Sequence, residues 1–423
     1  MGSTNKVSKG RVVKEIPRIL AICDAVAHTG FATVCHSIFD RLYTKYDVHI
    51  LGINYFGDPH DYKYKIYPAA TGGDVFGINR LPNLLQGLKP HLVFMINDPW
   101  VVRDYLQVIL KTPVGKLESG IEVYPHTIAY MPVDGLNIQP GFAQPLNDLN
   151  LVVGYTQFAI DELHKSGLTT NTDIISHGVD LQDFTPVERS KARKALNGLP
   201  EDWFIVGCAN RNQPRKRIDL ALQYFAAWAQ DKPSNVKFYY HGAIQDMGWN
   251  ILQLADYYGI ADRLIVTSND ITAANGVPRS FLKNIYSSFN IHVSTSMGEG
   301  WGLTQMESMA CRIPNIVPDW SGLSEWARGG VAYVPCTSTH VHTGGLNTVG
   351  GIVDKDMFIA ELEHMYQDAT YRDTVAKAGY DLVRQDKYQW RTVAQQFDTV
   401  FMKTLRGGNS VNHNNNSGHT NKI

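Results

Sequence analysis

One short segment of the chain joins glycines, carboxylates and the start of an expected helix, STSMGEGWGLTQMESMACRIPNIV. An apolar run ends there, and a turn with three glycines follows: Gly298, Gly300 and Gly302. Glycines let backbone amides come close to a ligand. Such amides, with the positive end of the following helix, expected to begin near Thr304, form a site for a phosphate group. Glu299 and Glu307 flank that expected phosphate site.

Each of the two carboxylates also has a purely structural interpretation. Thr304 and Glu307 have the Ser/Thr-x-x-Glu spacing of a helix capping box, in which both side chains bond backbone amides of the first turn. Glu299 has the position of an ordinary turn carboxylate. Because a glycine-rich turn between a strand and a helix is a weak motif alone, these residues need support from elsewhere in the chain.

A second group of candidate residues is cationic and follows the apolar run WFIVGCA. Four cations lie close together there: Arg211, Arg215, Lys216 and Arg217. They have the composition of a solvated basic loop. Cations at the carboxyl end of a strand also suit a diphosphate, which needs charge-assisted hydrogen bonds, and the same cations would stabilise a departing diphosphate.

Short apolar runs alternate with longer amphipathic stretches, which is the pattern of parallel α/β units. The first series contains RILAIC, YDVHILGI, HLVFMIND, HTIAYMPVD, NLVVGYT and TDIISHGVD. The polar segment FTPVERSKARKALNGLPED interrupts it, and a second series follows with WFIVGCA, VKFYYHG, RLIVTS, IHVSTS and IPNIVP. Ligands of open α/β sheets bind beyond the carboxyl ends of the strands, where the candidate residues lie.

Length and composition favour two globular domains without a strong overall charge. The 423 residues exceed what one hydrophobic core usually organises. With 39 basic and 40 acidic residues, the formal charge is −1, so no global field attracts nucleic acid or acidic membranes. We expect the basic N-terminal segment to be a solvated arm; its cations are Lys6, Lys9, Arg11, Lys14 and Arg18.

The sequence favours neither a membrane span, a disulfide framework nor a zinc site. It shows no run of about twenty apolar residues and no signal peptide, and its five cysteines are scattered without a CxxC pair. We therefore expect a cytoplasmic protein. Asp354 and Asp356 form a D-x-D, which can hold a metal-bound nucleotide, but they lie far from the other motifs and are interpreted as a surface loop.

Together these residues resemble the retaining GT-B glycosyltransferases of the family 4-like type (glycosyl transferases group 1), whose C-terminal domain carries two glutamates separated by seven residues. Glu299 and Glu307 match that E-x7-E pattern, and Arg211 and Lys216 match the family's arginine and lysine at the donor diphosphate. NLVVGYTQFAIDELHKSGL, followed by ISHGVDLQDFTP, resembles the family's approach to its interdomain linker. The resemblance is strongest over residues 207–335.

The resemblance implies a role for each matched residue. Glu307 would bind the ribose hydroxyls of the nucleotide, and Glu299 would contact the transferred sugar. Arg211 and Lys216 would neutralise the departing diphosphate. Five consecutive backbone amides would meet the phosphate or the sugar: those of Gly300, Trp301, Gly302, Leu303 and Thr304.

In the first half of the chain, the resemblance points to two further residues. Gly30, in DAVAHTGFATV, has the place of a family glycine that faces the diphosphate from across the cleft, or is a plain turn glycine. The family often has a histidine after the strand that ends here in IAYMPVDG, and this sequence departs from that pattern. Asp134 is the nearest ionisable substitute and could accept a hydrogen bond from the sugar or the acceptor. Pro132-Val133-Asp134-Gly135 also has the composition of an ordinary β-turn.

Three histidines follow apolar runs and could act as ligands or bases: His28, His177 and His241. Lone histidines in such positions are more often hydrogen-bonded structural residues. We expect a structural role for all three.

The sequence thus predicts an α/β protein with a GT-B fold, in which two Rossmann-like domains face each other across a cleft. The acceptor-side domain is expected over residues 1–185 and the nucleotide-sugar domain over residues 186–385. A helix over residues 386–405 should cross back to the first domain. The asparagine-rich tail over residues 406–423 should be disordered.

The predicted reaction moves a glycosyl group, with retention, from a nucleotide-diphosphate sugar such as a UDP- or GDP-sugar to a hydroxyl of a glycan, a lipid or another acceptor. No metal or other cofactor is expected, because cationic side chains and amides take its place. Two alternatives stay open: a non-enzymatic sugar- or nucleotide-binding protein, and an enzyme that glycosylates a nucleic-acid base, as in bacteriophages. The missing signal peptide disfavours a periplasmic binding protein, and the near-neutral charge disfavours nucleic acid.

Overall fold

The computed structural model of this protein describes residues 16–27, 29–272 and 276–407. Most of the basic N-terminal segment, His28 and nearly all of the predicted tail lie outside the described residues. The described chain forms two α/β halves, each built on one large sheet. These sheets determine which loops can meet at a common site.

The first half is built on a parallel sheet. Its elements in chain order are β1 (Arg18–Asp24), α1 (Gly30–Leu42), β2 (Asp47–Ile53), β3 (Lys65–Pro68), α2 (Leu81–Leu88), β4 (Leu92–Ile96), α3 (Pro99–Ile109), β5 (Gly115–Lys116), β6 (Glu122–Val123), β7 (His126–Met131), α4 (Pro140–Ala143), β8 (Leu151–Gly154), α5 (Gln157–Lys165) and β9 (Thr172–Ile174). Seven strands pair in the order β3-β2-β1-β4-β7-β8-β9, while β5 and β6 form a separate hairpin. Nearly every residue of β1 and β4 is buried, as expected for parallel strands covered on both faces.

The second half repeats this arrangement. Its elements are α6 (Arg189–Ala195), β10 (Phe204–Ala209), α7 (Ile218–Trp228), β11 (Val236–His241), α8 (Ile251–Tyr257), β12 (Leu264–Val266), α9 (Arg279–Ser288), β13 (Ile291–Val293), α10 (Leu303–Ala310), β14 (Asn315–Asp319), α11 (Ser321–Trp326), β15 (Ala332–Val341), β16 (Val349–Val353), α12 (Lys355–Gln367), α13 (Ala369–Val383) and α14 (Trp390–Arg406). The strand order is β12-β11-β10-β13-β14-β15-β16, and β15 pairs with β16 in the antiparallel direction.

Both sheets have a Rossmann-like strand order. Successive strands are added toward one edge up to β3 and β12 and then toward the other edge, so the order reverses between β1 and β4 and between β10 and β13. Ligands of such sheets bind at this reversal, beyond the carboxyl ends of the strands. The loops after these four strands line one cleft between the halves. The predicted fold class, two Rossmann-like domains facing each other across a cleft, is confirmed.

Helix α14 follows the second sheet in the sequence but packs on the first. The rings of Phe397 and Phe401 lie 5.3 and 5.0 Å from that of Phe94 in β4. Asp398 accepts hydrogen bonds from Lys45 at 2.5 Å and from the Tyr46 hydroxyl at 2.7 Å. The last described helix therefore completes the core of the first half.

Some elements differ from the sequence prediction. The apolar runs form strands as predicted, but β3, β5, β6, β15 and β16 were not foreseen, and the polar segment between the two halves contains α6. The first sheet lies within residues 18–174 and the second within residues 204–353. The domain limits at 1–185, 186–385 and 386–405 stay predictions.

The D-x-D motif has a structural role in place of the expected surface loop. Asp354 is the N-cap of α12, and its carboxylate accepts a hydrogen bond from the Met357 amide at 2.9 Å. Across the described ranges, no three His, Cys, Asp or Glu side chains are grouped as metal ligands. No helix in the described part of the chain has the length and apolar character needed to span a bilayer.

Candidate functional site

A cleft of about 1030 Å³ separates the two halves, and the predicted site residues of both halves line it. The first half contributes Gly30 and Asp134. The second half contributes Arg211, Lys216, Glu299, Glu307 and the turn from Gly300 to Thr304. The fold thus brings together residues that are far apart in the sequence.

Glu299 lies at the centre of a charged network. Its carboxylate is paired with Lys216 at 2.5 Å and with Arg215 at 3.3 Å, and the residue is only 6% exposed. Burial alone would raise the pKa of Glu299, but the charges of Lys216 and Arg215 outweigh it and hold the pKa below its ordinary value. Glu299 is therefore a fixed negative charge in a largely dry site.

Arg215 connects the two halves of the molecule. Its Nε lies 3.0 Å from a carboxylate oxygen of Asp134, while its Nη1 lies 3.3 Å from Glu299. The sequence placed Arg215 in the cationic group without a specific role. Its partners show that it joins the turn after β7 to the turn after β13.

Arg211 lines the cleft but stands apart from this network. Its Nε binds Asp246 at 2.9 Å, and 43% of its side chain is exposed. Within the cationic group, Arg215 and Lys216 hold the Glu299 carboxylate. Arg217 pairs with Asp219, and Arg211 is the more exposed cation that faces the cleft. An exposed arginine can reorient toward a diphosphate at little cost in desolvation.

The glycine turn after β13 brings the start of α10 to the cleft. Gly302 precedes the helix with φ 92°, a left-handed conformation that only glycine adopts without strain. The helix begins at Leu303, one residue before the predicted Thr304. The Trp301 ring stacks on Trp326 at 4.6 Å and is 3% exposed, so only its backbone can serve a ligand.

The predicted capping box does not form. No side chain caps α10, and the Thr304 hydroxyl lies 3.2 Å from the side-chain oxygen of Gln305. Glu307 instead accepts a hydrogen bond from the Tyr286 hydroxyl at 2.8 Å. Burial raises the pKa of Glu307 to about 7, although Arg279 and Tyr286 oppose that rise. The spacing predicts a cap correctly only where the helix begins after the Ser or Thr, and here it begins before Thr304.

Gly30 is the first residue of α1, whose N-terminus faces that of α10. A Cβ on Gly30 would lie 3.3 Å from Leu303 of the second half. Two helix N-termini therefore approach the same space from opposite sides of the cleft. Both present positive dipole ends, which favour an anion between them.

His177 and His241 both line the cleft and are held by hydrogen bonds, and their structural role stays a prediction. His177 is 3% exposed and contacts the Tyr130 hydroxyl at 2.7 Å, and burial lowers its pKa to about 3. His241 contacts the Thr267 hydroxyl at 2.9 Å, and burial lowers its pKa to about 4. Both rings are neutral at physiological pH. The prediction for His28 lies outside the described residues.

Sequence reasoning missed Asp24 and Asp98, which also line the cleft. Asp24 ends β1, and Asp98 follows β4 by two positions. Burial and the neighbouring charge of Asp134 raise the pKa of Asp98 to about 7. Their positions at the carboxyl ends of parallel strands were the available signal.

The hairpin of β15 and β16 was missed as well, and it crosses from the second half to the first. Leu136 and Val349 exchange two backbone hydrogen bonds of 2.9 Å. The Gln139 amide donates to the carbonyl of Gly345 at 2.8 Å, and that of Asn137 donates to Asn347 at 2.9 Å. This interdomain hairpin therefore links the two halves, and its turn contributes to the lining of the cleft.

Residues 189–343 match the family model Glycosyl transferases group 1. The chain is similar to D-inositol 3-phosphate glycosyltransferase of Mycolicibacterium smegmatis, with 32% identity over 164 residues, or 38% of this chain and 35% of that protein. The protein of the same name from Geodermatophilus obscurus is 32% identical over 170 residues, or 38% of this chain and 36% of that protein. The chain thus spans about a third of the length of these relatives.

Solved structures extend the similarity to the whole fold. Sucrose-phosphate synthase from Thermosynechococcus elongatus superposes with a TM-score of 0.72 at 17% identity, covering 93% of this chain and all (100%) of that one. Anabaena HepE in complex with UDP and glucose superposes with a TM-score of 0.66 at 15% identity, covering 92% and 100%. Together with the two sheets, these similarities show that the chain has the GT-B fold.

Proposed function

We propose that this protein transfers a glycosyl group from a nucleotide-diphosphate sugar to an acceptor hydroxyl in the cleft. The observation that carries the proposal is the buried Glu299 network beside the N-terminus of α10, inside the segment that matches Glycosyl transferases group 1. Two of the similar structures, both of HepE, are complexes with UDP and glucose and with UDP-glucose. They support a nucleotide-sugar donor here.

The donor diphosphate is proposed to lie between the two helix N-termini. The amides after Gly300 and the amide of Gly30 would donate to its oxygens, while Lys216 and Arg211 would supply positive charge. Glu307, which lies within α10, would accept hydrogen bonds from the ribose hydroxyls. Each group would stabilise the diphosphate as it leaves, when its negative charge increases.

In the proposed reaction, the bond between the anomeric carbon and the diphosphate oxygen breaks, and a bond from the acceptor oxygen forms. The leaving diphosphate takes the proton of the acceptor hydroxyl. We propose that both events occur on one face of the sugar, which retains the anomeric configuration. Glu299 would stabilise positive charge at the anomeric carbon, and Asp134, held by Arg215, would accept a hydrogen bond from the sugar or the acceptor.

A nucleotide diphosphate should bind more tightly than the corresponding monophosphate, and Lys216→Ala should remove most of the difference. A charge-assisted hydrogen bond contributes roughly 1.5–3 kcal/mol, so we expect the diphosphate to bind about 10- to 100-fold more tightly than the monophosphate. Calorimetric titrations with UDP, UMP, GDP and GMP measure these affinities. Lys355→Ala, which changes an exposed lysine of α12, is the matched control. Equal affinities for di- and monophosphates in the unaltered protein would refute the diphosphate site.

Transfer or donor hydrolysis should survive EDTA. We expect this because Lys216, Arg211 and the amides of two helix N-termini supply positive charge at the proposed diphosphate position. Release of the nucleotide diphosphate, followed with and without chelator, measures the effect. If chelation abolished release and magnesium or manganese restored it, metal independence would be wrong.

A further inference from the structure

Three aspartates share one edge of the first sheet. Asp24 ends β1, Asp98 follows β4 by two positions and Asp134 follows β7 by three. These strands are neighbours in the order β1-β4-β7 and are parallel, so their carboxyl ends meet at one edge. All three side chains line the cleft.

This side of the cleft has no balancing cation of its own. Among the described residues that line it from the first half, none is Lys or Arg, and Asp40 adds a fourth carboxylate. Its two described histidines are neutral, because burial lowers the pKa of both His36 and His177. The cations of the cleft belong to the second half, where Arg215 pairs with Asp134.

Two polar groups on this side of the cleft have no hydrogen-bonding partner among the described residues. The Tyr155 hydroxyl is buried without a hydrogen bond, in a residue that is 3% exposed and lines the cleft. Within the described ranges, no donor reaches the Asp98 carboxylate. Buried polar groups are normally paired, so these atoms indicate a polar ligand.

We propose that the acceptor bound at this edge is an uncharged sugar or polyol, recognised through its hydroxyl groups, and not a phosphate ester. This inference rests on the proposed function, since it assigns the acceptor of the same cleft. Hydroxyls donate to the carboxylates of Asp24 and Asp98, and they also donate to or accept from the Tyr155 hydroxyl. Trp100 and the stacked pair of Tyr62 and His36 add apolar ring faces at the rim.

A phosphate ester at this edge would place its charge among carboxylates. Like charges that face each other in an interface cost several kcal/mol, so a phosphate ester should bind about 100-fold or more weakly than the neutral compound. The donor diphosphate escapes this cost because Lys216 and Arg211 lie on the other side of the cleft. A nucleic-acid acceptor, which carries a phosphate at every nucleotide, is disfavoured for the same reason.

The test uses matched acceptors that differ only in a phosphate. With UDP-glucose as donor, glucose, fructose and myo-inositol are each compared with their phosphate monoesters, and product is measured by mass spectrometry. In each pair of which a member reacts, we expect kcat/KM to be at least about 100-fold higher for the neutral compound than for its phosphate monoester. A preference for the phosphorylated member, or no transfer to any sugar while donor hydrolysis persists, overturns the inference.

A variant tests the aspartate directly. Asp98→Asn should raise KM for the neutral acceptor at least about tenfold and leave KM for the donor unchanged. It should also lower the discrimination, which is the ratio of kcat/KM for the neutral acceptor to that for its phosphate ester. A purely structural role for Asp98 would not change that discrimination. Asp148→Asn, an exposed carboxylate of the first half outside the cleft, should match the unaltered protein.

The outcomes separate this inference from the proposed function. Binding of UDP, measured by thermal shift on the full chain, depends on the second half of the cleft. If UDP and UDP-glucose failed to bind, the proposed function would fall. If they bound while Asp98→Asn kept the acceptor kinetics and discrimination of the unaltered protein, only the acceptor assignment would be wrong.

Discussion

Replacing Glu299 with glutamine should lower kcat by about 100-fold or more while changing the affinity for the donor little, by analogy with the loss of one group that stabilises transition-state charge. The side chain is 7% exposed, and two cations hold it in place, so its charge is little screened by water. Positive character develops at the anomeric carbon only in the transition state, so the loss should appear in turnover.

Glu307→Gln is the matched control for this experiment. Glutamine still accepts a hydrogen bond from Tyr286 and from a ribose hydroxyl, so we expect a higher KM for the donor and a modest loss of kcat. Steady-state kinetics and melting temperatures of both variants decide the outcome. If Glu299→Gln turned over at the unaltered rate with both substrates saturating, Glu299 would be only a turn residue.

Gly298→Ala should reduce kcat/KM by about 100-fold, because even small misplacements of reacting groups have effects of that size. An added Cβ would overlap the carbonyl oxygen of Asp134, which belongs to the opposite half. Neither atom is at the end of a flexible side chain, so the two turns must separate. The contact between Asp134 and Arg215 would lengthen, and the cleft would open.

The control for Gly298→Ala is Gly87→Ala in α2, where an added Cβ would meet no atom within 4 Å. Small-angle scattering should show a larger radius of gyration for Gly298→Ala than for the control. Circular dichroism should show the same secondary structure in both. If Gly298→Ala kept full activity and the same radius of gyration, the close contact between the turns of Gly298 and Asp134 would not be required for activity.

The second half of the site was largely predictable from sequence, because its residues lie in compact segments. The glycine turn, Glu299 and Lys216 all follow apolar runs that form strands, and the fold places them together as the Rossmann pattern requires. The partner of Arg215 was not predictable. Asp134 is far away in the sequence, and only the contact between the halves brings the two charges to 3.0 Å.

Local patterns misled where a small shift of a helix start changes the outcome. The capping-box spacing requires Thr304 to be the N-cap, but the N-cap is Gly302, two residues earlier. Asp98 follows its strand as Asp134 does, yet no motif separates it from an ordinary helix-start aspartate. The interdomain hairpin has no strong apolar alternation, so its strands form through pairing with each other and with Leu136.

The position of α14 has a consequence for how the protein is made. The first half buries Phe397 and Phe401 against Phe94, so its core remains open until these residues leave the ribosome. Roughly 200 residues separate β9 from α14, and at about 5–20 residues per second their synthesis takes on the order of 10–40 s. During translation the nascent first half therefore leaves the Phe94 surface uncovered while the second half is being synthesised.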